Sequence, residues 1–238
     1  MCTVITLHRP GHAFPLLLAA NRDERIDRPW DAPGRHWPGQ PDVTGGRDRL
    51  GGGTWMAASD RGVMAAVLNR PGSLGPEAGK RSRGDLPLLA LREESAAAAS
   101  ARVAALNGAE FRSFNLVVAD RTAVWFLRGT GGALITASLL TPGLHMVTAH
   151  DPDDTSSPRV ARHRSRFAAA IDPTPPDWGS WPDLLADDGG SRAAALSVPA
   201  EGGFGTVCAT LFALPSAGAA IWLFAAGQPG RTAFHPVT

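Results

Sequence analysis

Tyrosine is absent from this chain, and Lys80 is the single lysine among its 23 basic residues. Arginine and alanine dominate instead, a bias that points to a bacterial, GC-rich coding sequence rather than to a task. Only two cysteines occur, Cys2 and Cys208, too few for a disulfide-framed secreted domain. No apolar run reaches the roughly 18 residues a spanning helix needs, which predicts no membrane insertion. A net charge of +1 provides no field to gather phosphates, so nucleic acid is not an expected partner. At the N-terminus one cation, Arg9, precedes the apolar run. Asn21-Arg22-Asp23-Glu24 then stands where a signal peptidase needs small residues. A cytoplasmic, reducing location is therefore expected, and with it no bridge between Cys2 and Cys208.

What is present is an ordinary globular composition, 44% hydrophobic and 19% charged over 238 residues, enough to bury a substantial core. We expect one domain, 1–238. Alternation over 2–7 predicts a strand, Arg9-Pro10-Gly11 a turn, and 14–21 a second strand buried on both faces, the two forming a hairpin. Residues 25–53, rich in Pro, Gly, Asp and Arg, read as a long loop anchored by Trp30 and Trp37, of the kind that walls a pocket. Strands follow at 54–58 and 63–69, a polar loop over 71–84, and helices at 85–91 and 93–106. Further strands are expected at 114–119, 123–127, 133–139 and 145–148, helices at 157–171 and 181–186, and a last hairpin at 205–214 and 219–225. Strands and helices in separate runs predict antiparallel sheets with helices packed outside.

The first 24 residues concentrate the chemistry. If Met1 is removed, Cys2 carries a nucleophilic thiol and, as its own α-amine, an adjacent base. The plainer reading is a buried strand cysteine. In an extended chain Asn21 and Asp23 face one side and Arg22 and Glu24 the other. Asp23 suits an α-ammonium, and Arg22 suits a thiolate or a substrate carboxylate. A charged strand end with internal ion pairs explains the same letters. Asn69, closing a strand ahead of Arg70-Pro71-Gly72, is either an oxyanion donor or an Asx-turn residue. Gly51-Gly52-Gly53 and the glycines of 129–132 read as hairpin turns, and His150-Asp151-Pro152-Asp153-Asp154 lacks metal-ligand spacing, so no metal is expected. Arg159, Arg162, His163 and Arg166 form one helical stripe, read as a solvated face that could, with Lys80, Arg81 and Arg83, meet an anion. Cys208 reads as core.

These pieces resemble the NRDE-motif family, also called the Transport and Golgi organisation 2 family. The resemblance rests on Met1-Cys2-Thr3, Ala20-Asn21-Arg22-Asp23-Glu24, Arg28-Pro29, Trp37, Gly45-Gly46-Arg47-Asp48, Gly52-Gly53-Thr54-Trp55, Gly62, Asn69-Arg70, Phe114-Asn115-Leu116 and Phe204-Gly205-Thr206. More distantly it is similar to the N-terminal-nucleophile cysteine hydrolases of the penicillin V acylase and bile-salt hydrolase type. That similarity implies a four-layer αββα sandwich of antiparallel sheets, class α+β. It would make Cys2 the nucleophile, Asp23 or Glu24 the acid near the amine, Arg22 or Asn21 the occupant of the arginine position, and Asn69 the oxyanion donor. Asn21, Glu24, Trp55, Asn115 and His150 become the substrate-binding candidates. Thr148-Ala149-His150 stands where both groups would show asparagine, and Val207 where the NRDE family usually has arginine.

The expected activity is hydrolysis of an amide or related acyl bond of a small molecule, with no cofactor. The family's links to haem trafficking and to acyl-CoA or lipid handling give the alternative, a non-catalytic carrier for which haem would be the cofactor.

Overall fold

The computed structural model describes residues 2–238. Removal of Met1, on which a free amine at Cys2 depends, lies outside the described residues. Strands β1–β13 and helices α1–α4 are numbered in chain order. The contacts divide into two compact units, one holding the chain up to Arg28 together with Pro142–Thr238, the other Pro29–Thr141.

The first unit is an antiparallel sheet of β10 (Gly143–Val147), β1 (Thr3–His8), β2 (Leu16–Arg25), β11 (Phe204–Leu214), β12 (Ile221–Ala225) and β13 (His235–Pro236), in that order. Every residue of β1 is buried, on both faces of the strand. One face carries Ile5, Leu7, Leu17, Ala19, Leu211 and Ala213 against Val160 and Phe167 of α3 (Pro158–Ala169) and Trp181, Leu184 and Leu185 of α4 (Trp181–Leu185). Burial of this face fixes the register, because a slip of one residue would turn the apolar set over.

β2 runs further than its apolar letters suggest. The polar cluster Asn21–Glu24 is not a strand end but the continuation of the strand, because β11 pairs with it as far as Arg25. Within that ladder Thr206 lies opposite Asp23 and Cys208 opposite Arg22, so Val207 is an extra residue in a β-bulge. The bulge lets two β11 side chains, two positions apart, meet consecutive β2 residues whose side chains point to opposite faces.

The basic stripe on α3 is not a solvated face. Arg159 and His163 are buried, and with Val160 and Phe167 they make up the inward side of the helix. Arg162 and Arg166, at the margin, pair with Asp187 at 3.2 and 2.5 Å. Burial would raise the Asp187 pKa, but hydrogen bonds from Arg166 and from the Gly189 N–H, with the positive field beside them, hold it below the usual carboxylate range.

The second unit is an antiparallel meander in the order β3 (Trp30–Gly34), β4 (Val43–Asp48), β5 (Met56–Ser59), β6 (Met64–Asn69), β7 (Phe114–Ala119), β8 (Val124–Gly129) and β9 (Ile135–Leu139). Its core joins Val43, Ala57, Ala65, Leu116, Val118 and Leu127 of the sheet to residues of α1 (Asp85–Ala90) and α2 (Ala96–Ala104). The expected loop over 25–53 contains two of these strands. Glycine hid the second: a Cβ at Gly45 would come within 3.0 Å of Ala57 and Met56, so only glycine allows β4 to lie this close to β5. Asp31 binds Arg47 at 2.6 Å and also Arg49, closing the β3–β4 pair. Among the described residues no helix is long and apolar enough to cross a membrane.

Because α3 is held to its sheet by Phe167, 1% exposed and 5.4 Å edge-to-face from Trp181, Phe167→Ala should destabilise the protein by about 3–5 kcal/mol. Denaturant unfolding measures this directly.

Candidate functional site

β1 and β2 place Thr3 opposite Asn21, so the chain one residue back brings Cys2 alongside Arg22 and Asp23. The Cys2 thiol donates to the main-chain carbonyl of Asp23 at 3.6 Å, and Cys2 itself is half-buried.

The Asp23 side chain points to the helix-covered face and is wholly buried. Arg159, from the first turn of α3, donates through Nη2 to Asp23 Oδ2 at 2.7 Å and through Nη1 to Thr3 Oγ1 at 3.0 Å. Thr206 accepts from the Val198 N–H at 2.7 Å, which aims its own proton at Asp23 Oδ1, 2.6 Å away. The carboxylate therefore receives a charged and a neutral hydrogen bond from two other elements, and the same guanidinium also grips the residue that follows Cys2.

The opposite face of the strand end carries Arg22 with Cys208 across from it. Burial, and then the negative charge of Asp23, push the Cys2 thiol pKa up, against a smaller opposing pull from Arg22. Cys208 is pushed up to about 12, by burial first, with Arg22 pulling down and Cys2 and Asp23 adding to the rise. Both cysteines are free thiols. They flank β2 at about two strand spacings, roughly 10 Å between Cα atoms, beyond the ~7 Å reach of a disulfide.

Around this centre the remaining candidates divide. Asn21 donates both amide hydrogens, to the carbonyls of Leu185 at 2.9 Å and Leu196 at 3.0 Å, and so ties β2 to the end of α4 and the segment after it. Glu24 sits 3.7 Å from Arg22 and 3.8 Å from Arg28. The charge of Asp23 acts on the thiol. His150 follows β10, with Nδ1 3.7 Å from Asp154 and 3.4 Å from Ser156 Oγ.

Asn69, Trp55 and Asn115 belong to the second unit. Asn69 ends β6 opposite Phe114, Asn115 accepts from Arg70 at 2.6 Å, and Trp55 stands edge-on to Trp30 at 5.9 Å. That unit also holds a cleft of about 390 Å³ walled by Trp37–Gln40 of the 25–53 segment and by Arg81, Asp85, Leu88, Leu89 and Arg92. Among the described residues no group of three His, Cys, Asp or Glu side chains could hold a metal ion.

Sequence reasoning missed Thr206 as a contact of Asp23 and misplaced Arg159. The available signal for Arg159 was its place beside Val160 on the Val160–His163–Phe167 stripe, which marks the inward side of an amphipathic helix.

Antiparallel sheets with flanking helices, and a cysteine at the head of the first strand, define an α+β fold of the N-terminal-nucleophile hydrolase type. A solved structure of the C2A mutant of conjugated bile acid hydrolase from Clostridium perfringens superposes with a TM-score of 0.58 at 10% identity, covering 100% of this chain and 92% of that one. The Caenorhabditis elegans N-acylethanolamine-hydrolyzing acid amidase ortholog gives 0.54 at 12% identity, covering 90% and 94%. At such identities the likeness is one of fold. The model of the Transport and Golgi organisation 2 family matches residues 1–180, and the chain belongs to that family. The Transport and Golgi organization protein 2 homolog of Bos taurus is 34% identical over 117 residues, 47% of this chain and 41% of that protein. The Homo sapiens homolog is 32% identical over 114 residues, 46% and 40%. The chain thus spans about two fifths of the length of these relatives.

A thiol whose pKa is raised on folding stabilises the native state fully below its unfolded value and loses that contribution as pH climbs toward the folded one. For Cys208 the window runs from 9.0 to about 12. Unfolding free energy should therefore fall across this range by up to about 1.4 kcal/mol per pH unit, and Cys208→Ala should flatten the slope in parallel denaturant titrations.

Proposed function

We propose that this chain is a cysteine amidohydrolase of the N-terminal-nucleophile type, acting on an amide or related acyl bond of a small molecule through Cys2 once Met1 is removed. The observation that carries the reading is the position of Cys2 at the head of β1, its thiol against Asp23 of the neighbouring strand. The names of the two structural neighbours, one an amidase and one a bile acid hydrolase, support it.

Because burial and Asp23 raise the thiol pKa, the thiol is protonated at neutral pH and needs a base. The freed α-amine of Cys2 serves. It takes the Sγ proton as sulfur attacks the carbonyl carbon and the C=O electron pair moves to oxygen. When the C–N bond breaks, the ammonium proton passes to the leaving nitrogen and a thioester remains. Water then attacks the thioester, giving one proton to the amine, which returns it to sulfur as the acid departs. The negative charge of Asp23 favours the ammonium through which each half-reaction passes. The family resemblance gives the oxyanion to Asn69, whose removal would then cost about 10²–10³ in rate.

The second reading is a non-catalytic carrier of acyl-CoA, lipid or haem. The raised thiol pKa favours it, since a thiol held in its neutral form is a poor nucleophile without an adjacent base. For haem the same fact cuts the other way, because axial ligation by Cys2 requires thiolate.

Intact mass should show a chain lacking Met1, and an acyl electrophile should then add one acyl group at Cys2, absent in Cys2→Ala. Retained Met1 in native material removes the base and defeats the hydrolase. A Soret shift on haem titration, lost in Cys2→Ala or His150→Ala, would favour the carrier.

A further inference from the structure

Arg159 joins two residues of the nucleophile's surroundings: Thr3, next in chain to Cys2, and Asp23, whose carbonyl receives the thiol. It does so from α3, 136 residues away from Asp23 in sequence, and its side chain is 4% exposed. We propose that Arg159 is a positioning residue for Cys2, setting both the placement of the β1 head and the negative field that Asp23 exerts on the thiol. The inference rests on the reading of Cys2 as the nucleophile.

The physical case has two parts. The first is geometric. The guanidinium is a planar fork, and its two Nη atoms are spent on different strands, one on β1 and one on β2, so the separation of those strands at their polar end is held by one rigid group. Thr206 completes the arrangement from β11 by occupying the other carboxylate oxygen. Asp23 is thereby prevented from rotating toward or away from Cys2.

The second is electrostatic. The charges acting on the thiol are Asp23, which raises its pKa, and the chain's terminal ammonium and Arg22, which lower it, and the Cys208 thiol on β11 couples to it as well. Asp23 acts to keep the thiol protonated, and Arg159, 2.7 Å from that carboxylate, offsets part of its charge in a site where water does not screen it. Arg22 lies on the other face of β2 and cannot replace it. Arg159 thus acts on Cys2 through Asp23 and through Thr3, without touching the reacting sulfur.

Alkylation of Cys2 by iodoacetamide, followed by peptide mass analysis across pH 6–11, tests this. Cys208 in the same sample reports any loosening of the fold, since it stays unlabelled while the core is intact. In Arg159→Met the uncompensated Asp23 should move the Cys2 profile to higher pH and slow labelling at pH 8 about tenfold, which corresponds to one pKa unit. Arg159→Lys, which keeps the charge, should return the profile most of the way. A profile in Arg159→Met that is unchanged, or moved to lower pH, with Cys208 protected overturns the proposal. If that variant does not fold, Thr206→Val, which strips the neutral hydrogen bond from Asp23, must move the profile upward by a smaller amount, and no movement overturns it equally. Alkylation needs no catalysis, so the two ideas fail separately. Shifted profiles without any acyl adduct would sink the hydrolase and leave the positioning role. An acyl adduct with profiles insensitive to position 159 would do the reverse.

Discussion

The arrangement at the polar end of the first sheet depends on one buried ion pair, Arg159 with Asp23, at 2.7 Å with neither side chain more than 4% exposed. Removing two such charges from water costs several kcal/mol per ion. What offsets it is completeness: Asp23 also accepts from Thr206, and Arg159 also donates to Thr3. An element from each of three chain regions, β1–β2, α3 and β11, is drawn to the same carboxylate. Loss of either partner would strand a buried charge, so the pair acts less as added stability than as a constraint on where these elements meet.

A β-bulge makes that constraint compatible with the rest of the site. Arg22 and Asp23 are adjacent, so a regular ladder would have β11 answer them with adjacent residues of its own. Val207 is instead set aside, and Thr206 and Cys208 serve the two faces. Asp23 closes the helix-covered side with polar partners, while Arg22 shares the other side with a thiol. Cys2, at the margin of this strand end, feels both charges, and the raised thiol pKa is the net result of burial and the Asp23 charge outweighing the terminal ammonium, the hydrogen bond to the Asp23 carbonyl and Arg22.

Much of this architecture was legible in the letters, for reasons that can be named. The hairpin of β1 and β2 announced itself by β-branched alternation and an Arg9-Pro10-Gly11 turn, and β7 was expected at its observed bounds, Phe114–Ala119. Composition misled where strands are built from residues that usually mark loops. β4 reads VTGGRD, and its glycines are there because β5 and Trp55 approach too closely for any side chain. The stripe on α3 misled in the opposite sense, because four cationic or imidazole side chains suggest solvent. Arginine can be buried when its hydrogen bonds are answered, and no local pattern shows that the answer lies at positions 3 and 23.

The sequence by itself determined the local facts: which segments alternate, where turns interrupt them, that a cysteine follows Met1, and that a tight polar cluster succeeds a buried strand. These follow from short-range sterics and burial, which act between neighbours in the chain. Only the tertiary structure decided that this cluster is strand, that Asp23 and Arg22 face different ways with different partners, and that a helix 136 residues distant supplies the guanidinium. The physical reason is that a buried charge is tolerated only where several remote groups converge on it, and convergence is a property of the folded chain.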